Sequence, residues 1–257
     1  DRSYDRVSKA VGELTQRIAP VKKVLGLESL PAMKAVILNS RREAQRSFPQ
    51  ISGAARRGHL YGGFAYNDYD LFVLSGLNVD GMLHEAVHLM LHEVVSSPRA
   101  RVPAWLHEGL AQWFESRSEH RKRTVERAAR NGQLIRLKYM NSQPGKPSGV
   151  RIFYAQAWSV VDYLIGTYGE DRVAILLDAL ESGQSIDEAV ISVYGFGLER
   201  LEANWKSDLT GETTLEPRPD PGTIATSTII TGSAAVALAV MIVRWVMKWL
   251  SGRTAAK

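Results

Sequence analysis

The stretch MLHEAVHLMLHE, residues 82–93, decides how the rest of the chain is read. Three histidines (His84, His88, His92) and two glutamates (Glu85, Glu93) stand in an otherwise apolar run. The run predicts a buried helix, with Asn78 or Asp80 as its cap and Pro98 at its end. Helical positions four apart share a face. His84 and His88 therefore aim two imidazoles at one point, where a zinc ion takes two nitrogen ligands. Glu85, one residue on, is placed to reach a water at that ion rather than the ion itself. A carboxylate there accepts the water's proton during attack on a carbonyl and passes it to the leaving amine. The same glutamate in a metal-free apolar core would be a costly buried charge.

A catalytic zinc keeps three protein ligands and one open position. PAWLHEGLAQWFE, residues 103–115, offers the third ligand as Glu108, on a second predicted helix begun by Pro103. Trp105, Leu106, Leu110 and Trp113 are available to pack that helix beside the first. The remaining histidines have plainer readings. His92 lies about 12 Å along the axis from His84 and reads as a polar helix-end residue rather than a second metal ligand. His107 points about 100° away from Glu108 and reads as a surface residue or a hydrogen-bonding group behind the ligands. His59 and His120 sit in polar stretches and read as solvated.

Around these two helices the pattern is mixed. Residues 1–19 predict a helix ended by Pro20, and MKAVILN (33–39) a strand. GGFAYNDYDLFVLS (62–75) reads as two strand pieces about Asn67 and Asp68, a hairpin or an extended edge strand. Four more helical patterns follow residue 150, the first being YAQAWSVVDYLIGTYG, closed by Gly169. Trp158, Tyr163, Leu164 and Tyr168 recur on it at core spacing. Residues 117–138 carry eight basic and two acidic side chains, which reads as a solvated face or a surface for acidic headgroups or a partner. The expected architecture is α+β: a small mixed sheet with an edge strand packed on the motif helix, then a mostly helical part.

HExxH followed by WLHEGLA resembles the gluzincin branch of zinc peptidases, in particular bacterial peptidase MA-like domains. The similarity extends in weaker form over residues 1–208. It implies that His84, His88 and Glu108 bind Zn2+ and that Glu85 is the base. It implies also that a peptide or protein substrate pairs along the strand near residues 64–74, with Phe64, Tyr66 and Leu71 as its candidate contacts. Relatives resembling thermolysin often hold a zinc histidine with an aspartate four residues after the glutamate ligand; here that position is Gln112. A neutral amide does less to raise ligand basicity, which leaves room for a second reading: a catalytically weak or inactive accessory subunit of a membrane complex. For the donor to the developing oxyanion, Tyr154 is the first candidate because it opens the helix after the loop; Tyr66, Tyr69 and His107 are alternatives.

The net charge of +5 does not mark a nucleic-acid binder. Four basic residues and no acids lie beyond residue 223, so residues 1–223 carry only +1. The absence of cysteine excludes disulfides and thiolate metal sites. IATSTIITGSAAVALAVMIV (224–243) has twenty uncharged residues, enough to cross roughly 30 Å of hydrocarbon. Trp245 and Trp249 suit the interface, and Gly232 to Ala235 would allow close packing on another membrane helix. The expected organisation is a peptidase-like domain over 1–208, a Pro/Gly linker over 209–223, a transmembrane helix over 224–250 and a short basic tail over 251–257. Lysine and arginine bias puts the C-terminus in the cytoplasm and the domain outside the cell membrane. No apolar leader follows Asp1, so that reading expects a mature chain; its rival is a cytoplasmic tail-anchored protein.

Overall fold

The computed structural model describes residues 2–47, 62–144 and 147–211. The chain divides into two units, Asp1–Leu215 and Glu216–Lys257. The expected membrane helix and tail belong to the second unit and lie outside the described residues, as does the linker after residue 211. Among the described residues no helix is long and apolar enough to cross a membrane.

The first unit is α+β, with a three-stranded mixed sheet and mostly helical content. Helix α1 (Arg2–Val24) leads to β1 (Lys34–Leu38) and the short α2 (Arg41–Ser47). Strands β2 (Gly63–Tyr66) and β3 (Leu71–Ser75) form the hairpin, joined through a 3-10 turn over Asn67–Tyr69. The sheet order is β1-β3-β2, with β3 parallel to β1 and antiparallel to β2. Phe72, Val73 and Leu74 are all buried, as a central strand requires. Leu71 therefore does not lie on an edge: it pairs with Lys34 on one side and Tyr66 on the other. Of the two hairpin strands only β2 is an edge among the described residues, because the sheet is too small to flank both.

Helix α1 runs through Pro20 instead of stopping there. A proline inside a helix removes one backbone hydrogen bond and costs about 3 kcal/mol. Val21 and Val24, 0% and 1% exposed, continue the helix into the core and offset that cost. Tyr4, Val7 and Val11, which share the predicted apolar face, remain exposed.

The motif helix, α3 (Val79–Val94), is buried at nine positions spread around its circumference. Asn78 stands at its cap position without a side-chain capping bond. Asp80 does not cap it either: its Oδ1 accepts from Arg17 at 2.7 Å and from the Ser116 hydroxyl at 3.0 Å. The helix ends at Val94, before Pro98. The next helical stretch is two helices, α4 (Ala104–Trp113) and α5 (Ser118–Arg130). The C-terminal part comprises α6 (Pro147–Tyr168), α7 (Asp171–Glu181), α8 (Ile186–Tyr194) and α9 (Leu198–Thr210). A capping box at Ser185 and Glu188 starts α8, and Gly169 at φ +90° closes α6 as expected. Helix α4 packs hard against α6 at Gly109, where an added Cβ would lie 2.4 Å from the Ala157 carbonyl oxygen. That close approach fixes Glu108 in the interior.

Candidate metal centre

One turn of α3 and one position of α4 meet at a point. His84 Nε2 lies 3.1 Å from His88 Nε2. Glu108 Oε2 lies 3.5 Å from the first and 3.7 Å from the second. The position equidistant from three atoms so spaced is about 2.0 Å from each, the length of a zinc–nitrogen or zinc–oxygen bond. Glu108 Oε2 is buried and has no hydrogen-bond partner among the described residues. Such an orphan is costly, and a cation at the shared point satisfies it. The three residues are the group of His, Asp and Glu side chains among those described that could hold a metal ion, and their chemistry fits one.

Each ligand is held from behind. His84 Nδ1 lies 2.8 Å from Glu115 Oε1. With Nδ1–H donating to that carboxylate, the Nε2 lone pair faces the centre. Glu115 in turn accepts from Arg121, whose Nε also donates to Gln112 Oε1 at 2.8 Å. Gln112 does not reach a ligand histidine. Its amide nitrogen donates back to the Glu108 carbonyl at 3.5 Å, within its own helix. The group expected at Gln112 is Glu115, seven residues after Glu108 and just past the end of α4. His107 is half-buried rather than on the surface, and its ring stacks on His88 at 4.3 Å between centroids and 6° between planes. His88 Nδ1 has no partner among the described residues, and its ring is bounded by this stack on one side and by the His84 ring, edge to face at 4.7 Å, on another.

Gln143 joins the remaining groups. Its amide nitrogen donates to Glu108 Oε1 at 2.9 Å and to the Tyr154 hydroxyl at 2.7 Å. Tyr154 does not open its helix, since α6 begins at Pro147, but it stands one side chain away from a candidate ligand. Tyr66 points elsewhere, donating to the Ser47 carbonyl, and Tyr69 is exposed. Phe64 meets Tyr66 edge to face at 4.9 Å on β2.

Burial shapes the charge states. It raises the Glu85 carboxyl to about 7, against the pull of His84 and with the push of Glu108 and Glu115. Burial opposes a charge on His84 too, but the carboxylates of Glu108 and Glu115 beside it outweigh that and raise the imidazole to about 10. Glu108 is the reverse case: burial would raise it, and the neighbouring histidines bring it down to about 2. Burial, with His107 beside it, keeps His88 well below the usual histidine range. These directions describe a metal-free centre with an imidazolium at His84, a neutral imidazole at His88 and an ionised Glu108. Glu85 stands outside the triangle, its carboxylate against β2: a Cβ on Gly63 would fall 2.5 Å from Glu85 Oε1.

An α+β domain with two histidines a turn apart, a glutamate from the next helix and a buried carboxylate beside them has the build of a metallopeptidase-like domain. The family model of the Peptidase MA superfamily matches residues 56–211, more than half of the chain and every element from β2 to α9. The chain belongs to the Peptidase MA superfamily. No curated protein and no solved structure matches it.

Proposed function

We propose that this protein is a zinc-dependent peptidase anchored in a membrane. The observation that carries the reading is the buried triangle of His84, His88 and Glu108, with an orphaned carboxylate oxygen at one corner. His84, His88 and Glu108 would hold the ion. When bound, zinc supplies a Lewis acid that polarises the scissile carbonyl and acidifies water at the site. Glu85 takes the proton of the attacking water and returns it to the leaving amine; its burial raises its affinity for that proton. Tyr154, which accepts a hydrogen bond from Gln143, is the candidate donor to the developing oxyanion.

The substrate is an extended peptide or unfolded protein laid along β2. That strand pairs on one side only among the described residues, and its Gly63 touches the base. A peptide added there runs past Glu85. Leu71, on the central strand, takes no part.

The reading of an inactive accessory subunit leaned on Gln112. The charged partner of the ligand histidine is Glu115, which favours a working centre. The anchor rests on the uncharged residues 224–243, and the lysine and arginine bias places the domain outside the cytoplasm with a cytoplasmic C-terminus. Neighbouring subunits of a membrane complex would then contact that helix. Alkaline extraction should leave the full chain in the membrane pellet; its release would overturn the anchor.

The test of activity is cleavage of casein by the zinc-loaded full chain beside Glu85→Gln. The expected result is fragments from the wild type and none from the variant, with equal metal content. No fragments from the wild type, or equal cleavage by both, would overturn the reading.

A further inference from the structure

Away from the metal centre, α5 and α6 flank a solvent-open hollow of about 120 Å³. Its walls include His120, Arg123, Thr124 and Arg127 of α5, Gln133 beyond that helix, and Arg151 of α6. Elsewhere the fold matches several arginines to carboxylates: Arg17 with Asp80, Arg121 with Glu115, Arg136 with Glu199. Among the described residues Arg123, Arg127 and Arg151 form no ion pair, and the two acids of α5, Glu119 and Glu126, pair with none of them. Single unpaired arginines on a surface mean little. Three that converge on one concavity, with no carboxylate among its walls, repel one another across it.

The geometry points to a binding site for one phosphate group, held by Arg123, Arg127 and Arg151. At about 120 Å³ the hollow has room for about four waters. Four water positions match the oxygens of one phosphate, and guanidinium forks match them in geometry. The amide of Gln133 lines the same wall and adds a neutral donor, while the Thr124 hydroxyl donates to the His120 carbonyl at 2.9 Å. The group comes either from free phosphate and its monoesters or from the diester headgroup of a lipid.

Titrating the full chain in a non-ionic detergent with inorganic phosphate, and separately with glycerophosphoglycerol, tests the site by calorimetry. Two triple variants accompany it. One removes Arg123, Arg127 and Arg151 to alanine; the other removes Arg117, Lys122 and Arg130, which carry the same charge outside the cavity. All six residues are exposed, so neither set opens the core. The expected result is saturable binding that weakens at least about a thousandfold, about tenfold per arginine, in the cavity triple and is unchanged in the control triple. Preference for inorganic phosphate assigns the free source, and preference for the diester assigns the headgroup. No saturable binding of either, or equal loss in both triples, would overturn the site.

Discussion

Glu115→Gln is the sharpest change to make to the metal centre, because it alters one charge and almost no shape. Glu115 Oε1 lies 2.8 Å from His84 Nδ1, and its other oxygen receives Arg121. A neutral amide still accepts the imidazole N–H, but it no longer raises the basicity of the Nε2 atom that faces the ion. Groups in this position typically contribute 10- to 100-fold in metal affinity, or about 1.4 to 2.7 kcal/mol. The variant should lose that much in a competition titration against a chelator. Glu115→Ala should do more. It strands Arg121, whose side chain is only 10% exposed, and breaking a buried pair costs about 3–5 kcal/mol. Chemical denaturation in chelator should show that loss for the alanine variant and a much smaller one for the glutamine variant. If Glu115→Gln binds metal as the wild type does while Gln112→Ala weakens it, the hydrogen bond behind His84 has been assigned to the wrong residue.

Three further outcomes follow from the same geometry. The metal-free protein should lose stability as pH rises from about 7 to 10. His84 is raised from 6.5 to about 10, so it contributes stability that is complete below its ordinary value and disappears as pH climbs through the folded one; below about 7 the fall due to Glu85, raised from 4.5 to about 7, is opposed by the lowered His88 and His107, so the slope is read above that point by denaturation in chelator, and His84→Ala should flatten it. Gly109→Ala should destabilise by about 1–3 kcal/mol or more, because its Cβ meets the Ala157 carbonyl oxygen at 2.4 Å, and a shift in melting temperature would register it. Gly63→Ala should displace the Glu85 carboxylate, lowering casein cleavage while metal content stays at the wild-type level.

Residues that act through helical periodicity were legible before the fold was known. His84 and His88 need only the four-residue repeat, and Glu108 needs only a second apolar helix to carry it. The strand MKAVILN, the hairpin and the four late helices follow from apolar pattern and from Gly and Pro punctuation. What escaped depends on how elements meet. Glu115 carried a signal in its seven-residue spacing from Glu108, yet only packing brings it to His84 rather than to solvent. Gln143 sits in a loop with no pattern, and its contact with both Glu108 and Tyr154 arises from the meeting of α4 and α6. The continuation of α1 through Pro20 is a tertiary override of a local rule, supplied by the burial of Val21 and Val24. Leu71 was misplaced because an alternating strand pattern does not tell a central strand from an edge.

The central claim is that His84, His88 and Glu108 hold one metal ion. Elemental analysis of the purified full chain, after zinc has been offered and excess removed, tests it beside His84→Ala, Glu108→Ala and Glu85→Gln. The account predicts about one zinc per chain in the wild type and in Glu85→Gln, and none in the two ligand variants. A wild type that retains no metal, or ligand variants that retain it fully, would contradict the account.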